Sequence, residues 1–525
     1  MKKMNSLDLH SILQLATVGC DNVLQQQLES TLRYVLSNTP YHEACKAPAE
    51  YVDNKDSNLT SADVQKMKEA ANCEPCTCPK RYAKIWTVTE KEKERRRFIL
   101  WPKQLNDELE KRFGVPSIDI SESIEHMKGV RKDSGAIAFD LEKSYYQVPL
   151  APEVRPYFAF ALNGEIFQPT VLPMGVNFAP ALMHNVLKVL ATTGVPHVTT
   201  DCYIDNVRFH GIGLHEDKVR RAATIFQARC KQVGATLNDE DVNDWHTKGL
   251  WLGTEVDYRL ARVRLAKKSI NKLKEEATAL NSANITLNDV QVIFGLLFYG
   301  SRVLRLPTVE YFTAIKYYRR RQSEMLSNFE IAASDQPANI WACAKKQLFD
   351  WISRIQENEW TEHLPDTDSS FILCTDASLT GWGAVLFNMI SGEINALGGK
   401  WTRTYEPKDI NTLEMRAVEE GAGAFRDILN SKSINGLDLL VDNTSTMYTL
   451  RKGHSSKYDL NAALRRTLRS LPPSLSIRVG YIDTAHNPAD SLSRGRDLES
   501  GGTSSVRGAV DRKEAVFERV KRPVF

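Results

Sequence analysis

The sequence predicts a multidomain α/β protein, and three observations carry that expectation. At 525 residues the chain exceeds what one hydrophobic core usually supports, so several domains of roughly 100 to 200 residues each are expected. Short apolar runs of strand length alternate with longer amphipathic stretches. Several of those runs end on, or enclose, an aspartate. The composition, 42% hydrophobic, 25% charged and 9% aromatic, is that of folded matter, and no apolar run approaches the roughly 20 residues of a bilayer span. The opening, Met1 to His10, leads into an amphipathic stretch rather than an apolar signal core, and nine scattered cysteines, an odd number, suit reduced thiols. An intracellular setting, cytoplasmic or nuclear, is therefore expected. A net charge of +3 establishes no polyanionic partner by itself, so the position of the charge has to decide.

Along the chain, residues 1–79 mix short helical patterns with a polar stretch and end at a Pro-bounded cysteine segment, which reads as an N-terminal extension. The run 136–139 ends at Asp140 and reads as a buried strand; after the breaker Pro149, residues 157–161 read as a second. A helix over 179–191 and a β-like run over 197–209, with Asp205 inside it, complete a mixed α/β domain. Residues 261–325 read as basic helices and 326–368 as a helical connector ending in a polar turn. A second α/β unit starts at Phe371 and runs strand, Gly-rich turn, strand, helix, strand, helix, strand, helix to Arg494, before a Gly/Ser-containing tail. No internal repeat at a fixed period is present.

Acids at strand ends suggest chemistry with hard cations. A nucleotidyl transferase holds two divalent ions about 4 Å apart, one activating the attacking hydroxyl and one neutralising the triphosphate, and carboxylate oxygens suit both. Asp140 closes an apolar strand, and Asp205 lies in Cys202-Tyr203-Ile204-Asp205-Asn206-Val207, a tight turn between two β-like segments. Here the chain resembles the reverse transcriptase family. The segment Phe139-Asp140-Leu141-Glu142-Lys143-Ser144-Tyr145-Tyr146-Gln147 is similar to its first catalytic motif, Leu172-Pro173-Met174-Gly175-Val176 to its template- and nucleotide-gripping motif, and Tyr203-Ile204-Asp205-Asn206 falls where the family has a tyrosine and paired aspartates.

The resemblance implies a right-hand polymerase of fingers and palm (80–260) and thumb (261–325). It also implies Mg²⁺ or Mn²⁺ held by Asp140, Asp205 and the Leu141 carbonyl. Asn206, in place of the second aspartate, is a weaker ligand than a carboxylate. Tyr145 would place a ring beneath the sugar and exclude a 2′-hydroxyl. Gly175 would let the backbone approach the incoming nucleotide, with Met174 and Tyr203 lining the same pocket. Arg97, at the end of the run 91–97, matches the family's phosphate-binding arginine. Further on, Trp251-Leu252-Gly253 resembles the primer grip. The cluster Arg262, Arg264, Lys267, Lys268, Lys272 and Lys274, with Lys316 to Arg321, suits a phosphate backbone.

The second unit supplies another acidic set. Asp376 lies in Leu373-Cys374-Thr375-Asp376-Ala377-Ser378, Glu414 near a helix start, Asp442 after the strand 439–441, and Asp490 opens the last helix. Cleaving RNA by metal-assisted hydrolysis needs such a cluster. Taken in order over 371–494, these residues resemble the ribonuclease H family, which implies a connector (326–368), a ribonuclease H-like domain (369–496) and a tail (497–525). It also implies two Mg²⁺ or Mn²⁺ ions at these four acids. His486 would assist product release.

The partners implied are an RNA template, a DNA primer, the RNA/DNA hybrid and deoxynucleoside triphosphates, with no membrane; the sequence leaves the oligomeric state open. Asp133-Ser134-Gly135 follows Arg131 and Lys132 rather than an apolar strand and reads as a turn. His42, Cys45, Cys73 and Cys76, with Cys78 as an alternative ligand, have zinc-type spacing. Motif order resembles retrotransposons of the long-terminal-repeat or tyrosine-recombinase type. Two rivals accompany this reading: a scaffold that binds nucleic acid without catalysis, and a decayed or domesticated copy keeping ribonuclease H alone, to which Asn206 points.

Overall fold

The computed structural model describes residues 4–90, 95–116, 118, 130, 132–211, 215–238, 244–282, 284–327, 336–362, 369–401, 409–430, 436–455, 457–472, 475–497 and 518–519. Two compact units are formed, Met1–Gly249 with Tyr258–Leu260 and Leu250–Asp257 with Ala261–Phe525. The basic segment 91–94, most of the polar turn at 365–370 and most of the tail fall outside the described residues.

In the first unit the helices α1 (Leu9–Gly19) and α2 (Asn22–Leu36) begin at aspartate caps, Asp8 and Asp21, whose carboxylates take first-turn amides. These helices pack into the same core as the rest of the unit: Leu9, Ile12, Leu28 and Leu32 are buried in one cluster with the later strands, and the Leu7 amide donates to the Gln147 carbonyl at 2.7 Å. Residues 4–79 are therefore built into this unit and are no appendage, because their apolar faces have nowhere else to be buried. The strand β1 (Cys73–Pro75) pairs antiparallel with β6 (Glu165–Pro169), which pairs with β5 (Phe160–Leu162). Residues 155–158, expected to begin a strand at 157, form a 3-10 turn, with Pro156 in its first turn; proline fixes φ near the helical value and removes a donor, so the strand starts later, at Phe160.

A two-stranded ribbon, β2 (Lys84–Glu90) and β3 (Arg95–Trp101), precedes a three-stranded sheet. Its order is β4 (Ala136–Asp140), β8 (Asn206–Gly211), β7 (Val198–Tyr203), all antiparallel. The helix α6 (Ala179–Ala191), numbered after α3 (Thr39–Ala44), α4 (Ser61–Glu69) and α5 (Lys103–Phe113), is apolar almost all round and buried along most of its length. A seventh helix, α7 (Glu216–Gln232), lays Phe226 against Phe139 and Phe209 at ring distances of 5.3 and 5.5 Å. The sheet that carries Asp140 and Asp205 is thus fixed by aromatic packing on its inner face.

In the second unit residues 262–265 form a strand, β11 (Arg262–Leu265), paired with β10 (Thr254–Asp257), where a helix was expected. The alternation Arg-Val-Arg-Leu has the period of two that a half-buried strand requires, and it outweighs the density of charge. Arg262 and Arg264 pair across the hairpin with Asp257 and Glu255, and both guanidinium groups lie over the Trp360 ring. The helices α8 (Lys267–Thr278), α9 (Leu287–Val303), α10 (Phe312–Ser327) and α11 (Ala342–Glu357) follow. The aromatics of the basic cluster serve this core: Tyr318 stacks on Phe294 at 4.3 Å, and buried Tyr317 donates to the Ala338 carbonyl at 2.6 Å. Of the cluster, Lys267, Lys268, Lys272 and Lys274 are exposed along α8.

The remainder is a sheet whose first five strands run in the order β15 (Ile394–Lys400), β14 (Gly381–Asn388), β13 (Phe371–Ala377), β16 (Gly436–Val441), β17 (Ser476–Tyr481). The pairs β13–β14 and β14–β15 are antiparallel, β13–β16 and β16–β17 parallel. The strand β15 lay outside the sequence expectation because Gly398-Gly399 and its exposed residues hide the strand pattern. Helices α12 (Ile410–Ala424), α13 (Arg426–Leu429), α14 (Thr444–Lys452), α15 (Tyr458–Ser470) and α16 (Asp490–Ser493) complete the unit.

Candidate active sites

In the first unit, Asp140 ends β4 directly opposite Asn206, the first residue of β8. Two residues, Ile204 and Asp205, close the β7–β8 hairpin, with Ile204 at a φ of +56°; a β-branched residue in this region is strained and persists only where the surroundings impose it. The His184 imidazole lies 3.4 Å from the Ile204 amide, and the Leu141 amide donates to the Asp205 carbonyl at 3.0 Å. Strand pairing thus brings Asp140, Leu141, Asp205 and Asn206 together. The Leu141 carbonyl accepts no backbone hydrogen bond among the described residues.

Each carboxylate is oriented by a neutral donor. The Ser144 hydroxyl donates to Asp205 Oδ2 at 3.0 Å, Asn206 Nδ2 lies 3.1 Å from Asp205 Oδ1, and Asn238 Nδ2 donates to Asp140 Oδ2 at 2.5 Å. Asn238 is held in turn by its own amide on the Asp140 carbonyl at 2.8 Å. Burial pushes the Asp205 carboxyl up, while Ser144, Asn206 and the Arg97 charge oppose it. Tyr145 lies on a 3-10 turn, Ser144–Gln147, and its phenol is pushed up by burial and by the nearby Asp205 and Tyr203. Asp205, Arg97, Tyr145 and Tyr203 therefore share one electrostatic neighbourhood. Gly175 has a reason of its own in the fold. Its φ is +107°, and a Cβ there would fall 2.3 Å from the Leu100 carbonyl oxygen, while the neighbouring Met174 carbonyl takes the Leu100 amide at 2.8 Å. The glycine is required by the approach of β3, which also carries Arg97, to the 174–175 loop.

In the second unit, Asp376, Glu414 and Asp442 each bring a carboxylate oxygen within 4.8 Å of the others. Asp376 comes from the buried central strand β13, Glu414 from the second turn of α12, and Asp442 from the residue after β16. Asp409 caps α12 through the Asn411 amide at 3.1 Å and is clamped by Lys457 at 2.6 Å. Burial pushes the Asp376 carboxyl up to about 7, with Asp442 and Asp490 adding repulsion, and the Glu414 carboxyl up to about 9, with Asp442 and Asp376 adding to it. Glu414 Oε2 is buried and has no hydrogen-bond partner among the described residues. A cation would relieve both defects, so this donor set fits a hard divalent ion. Asp490 stands beside the trio without joining it: its charge reaches Asp376 and Glu414, but its carboxylate is held by Arg494 at 2.8 Å.

The zinc-type residues do not assemble: among the described residues, the acidic trio is the one group of three or more His, Cys, Asp or Glu side chains with converging donors. Cys73 faces the core, and burial pushes its thiol up to about 12; burial and a hydrogen bond to Glu108 do the same at Cys45. Asp133-Ser134-Gly135 is a turn entering β4, where a Cβ on Gly135 would meet the Trp245 ring at 2.4 Å.

Residues 91–256 match the family described as reverse transcriptase (RNA-dependent DNA polymerase). The chain carries a reverse transcriptase domain. This domain spans β3 to β10 and so contains Arg97, Asp140, Tyr145, Gly175, Tyr203, Asp205 and Asn206. Among curated proteins the chain is 20% identical over 375 residues to an enzymatic polyprotein of Cassava vein mosaic virus, covering 69% of this chain and 53% of that one. It is 22% identical over 252 residues to the Gag-Pol polyprotein of Bovine immunodeficiency virus (strain R29), covering 46% and 15%. The chain thus spans about half the length of the first relative and a small part of the second. Among solved structures, foamy viral protease-reverse transcriptase in complex with dsDNA is 16% identical at a TM-score of 0.47, covering 92% of this chain and 99% of that one. The complex with RNA/DNA hybrid is 14% identical at 0.47, covering 92% and 64%. No helix among the described residues is long and apolar enough to cross a membrane.

Sequence reasoning missed the residues that orient the acids: Ser144 and Asn238 at one set, Arg494 at the other. Ser144 sat inside a quoted motif and was readable by its spacing from Asp140. Asn238 is 98 residues from Asp140, and nothing in the sequence alone pairs them.

Proposed function

We propose that this chain is an RNA-directed DNA polymerase with ribonuclease H activity, which copies retroelement RNA into DNA and degrades the RNA of the resulting hybrid. The observation that carries the polymerase reading is the meeting of Asp140, Leu141 and Asp205 at one sheet end inside the reverse transcriptase domain. The ribonuclease reading rests on the trio of buried Asp376 and Glu414 with half-buried Asp442. Its substrates are an RNA template, a DNA primer, deoxynucleoside triphosphates and the RNA/DNA hybrid. We read residues 80–260 as fingers and palm, 261–325 as thumb, 326–368 as connector and 369–496 as the ribonuclease H-like domain. The element is of the long-terminal-repeat or tyrosine-recombinase type.

Mg²⁺ or Mn²⁺, two per site, would be held by Asp140, Leu141 and Asp205 in one unit and by Asp376, Glu414, Asp442 and Asp490 in the other, and would activate the attacking oxygen and neutralise the leaving group. The protein supplies the rest by placement. Ser144 and Asn206 fix the rotamer of Asp205, and Asn238 fixes that of Asp140, so neither acid has to be reoriented during reaction. Tyr145 excludes a 2′-hydroxyl by volume, and Arg97 pairs with triphosphate oxygens. At the second set, Glu414, pushed up to about 9, and Asp376, pushed up to about 7, hold protons near neutral pH when no cation is near, so loading the site releases them.

Asn206 supports a second reading, a decayed copy in which ribonuclease H alone survives. Its amide contact with Asp205 favours the first, since an amide there has an orienting task that does not need a carboxylate. Purified full chain given poly(A) template, oligo(dT) primer and Mg²⁺ should extend the primer. No extension by the wild type together with extension by Asn206→Asp would establish the second reading instead.

A further inference from the structure

Beside the acidic trio, a cleft of about 400 Å³ opens between β14, β15 and the end of α16. Its walls combine the backbone of Gly381, Gly398 and Gly399 with the side chains of Lys400, Arg494 and Arg496. The glycines are fixed by packing: a Cβ at Gly381 would lie 2.5 Å from the Gly399 carbonyl oxygen, and one at Gly398 would lie 3.0 Å from the Leu492 carbonyl oxygen. Packing accounts for the glycines and leaves Lys400 and Arg496 unexplained. Lys400 and Arg496 are exposed and form no ion pair among the described residues. Arg494 gives Nε and Nη2 to Asp490, which leaves Nη1 uncommitted among the described residues. The short helix α16 thus starts at Asp490, whose charge reaches the acid trio, and is capped at its other end by Arg494, which lines the cleft about 6 Å further along the axis. A concave site with three cations, bare backbone and no acid lining it has the chemistry of a phosphate site.

We propose that this cleft holds a backbone phosphate of the nucleic-acid strand being cut, next along that strand from the phosphodiester at Asp376, Glu414 and Asp442. The proposal rests on the ribonuclease H reading. Strand polarity and register on the trio would then be set by Lys400, Arg494 and Arg496 acting as positioning residues, with the acids left to do the chemistry.

The test uses the full chain and its Lys400→Gln/Arg496→Gln variant on an end-labelled RNA/DNA hybrid. Steady-state cleavage in Mg²⁺ should show KM raised about five- to thirtyfold with kcat changed less than about twofold. Hybrid binding in Ca²⁺ across a salt series should lose about two from the slope of log affinity against log salt. An unchanged KM with an unchanged slope overturns the proposal. So does inorganic phosphate binding that the double substitution weakens while hybrid KM stays the same, since the cleft would then be a free-phosphate site. If wild type fails to cleave the hybrid at all, the ribonuclease H reading falls, and the salt slope still decides whether the cleft binds the strand. Both side chains are exposed, so a matching melting curve separates these outcomes from misfolding.

Discussion

Glu414→Gln should stabilise the metal-free protein while disabling its second site. The wild-type carboxyl is buried among Asp376 and Asp442, has an unpartnered oxygen, and is pushed up to about 9 from an ordinary 4.5. Below pH 4.5 folded and unfolded chains both carry the proton, and this group costs nothing. Between 4.5 and about 9 the folded state alone holds it, so the fold loses stability with each step of pH until the folded carboxyl itself titrates. At pH 7 that spans roughly 2.5 pH units, or about 3 kcal/mol at 1.36 kcal/mol per unit. Water reaching the half-buried Asp442 side of the cluster screens part of this, and about 1 to 2 kcal/mol is expected. Glutamine keeps the shape and removes the charge. In EDTA, calorimetry at pH 7 should show the transition containing this sheet raised by roughly 2 to 6 °C in the variant. At pH 5 the gap should nearly vanish. Mg²⁺ should then raise the wild-type transition and leave the variant where it was. A variant less stable than wild type in EDTA at pH 7, or a gap equal at both pH values, refutes the reasoning.

Other outcomes follow from the first site. Asp205→Asn should lower primer extension at least about 100-fold and leave hybrid cleavage intact, measured on separate substrates. Asn238→Ala frees the Asp140 carboxylate and should cost about 10- to 100-fold in extension, partly recovered at high Mn²⁺; extension unchanged at all metal concentrations would remove Asn238 from the site. Tyr145→Ala should relax discrimination against ribonucleotides by roughly 10- to 200-fold in the ratio of kcat/KM values, and an unaltered ratio would mean that the ring does not meet the sugar.

Most of each candidate site was legible in the sequence because it is local. Asp140 at the end of an apolar run, the 179–191 helix, the hairpin around Asp205 and the acid-bearing strands of the second unit are patterns over fewer than twenty residues. Non-local pairing was illegible, as with Asn238 on Asp140, 98 residues away; Arg494 on Asp490, by contrast, is an i,i+4 pair whose spacing lay open in the sequence. Gly175 was identified as a close-approach glycine; its approach to the backbone of β3 was not legible, because only the tertiary fold supplies it. The basic segment after residue 261 misled because charge density was read ahead of period, and Arg262 and Arg264 proved to be cross-strand partners of acids. The four zinc-type residues shared spacing and no position, since ligand types at the right intervals do not converge unless the fold turns them toward one point.

The account stands on two separate acid sites in one chain, and one experiment addresses that directly. An end-labelled RNA annealed to a DNA primer is incubated with deoxynucleotides and Mg²⁺, with both product lengths read from the same reaction. Wild type should extend the primer and cut the RNA, Asp376→Asn should extend it and leave the RNA whole, and Asp205→Asn should cut without extending. Loss of both activities in either variant, or RNA cleavage undiminished by Asp376→Asn, would contradict the account.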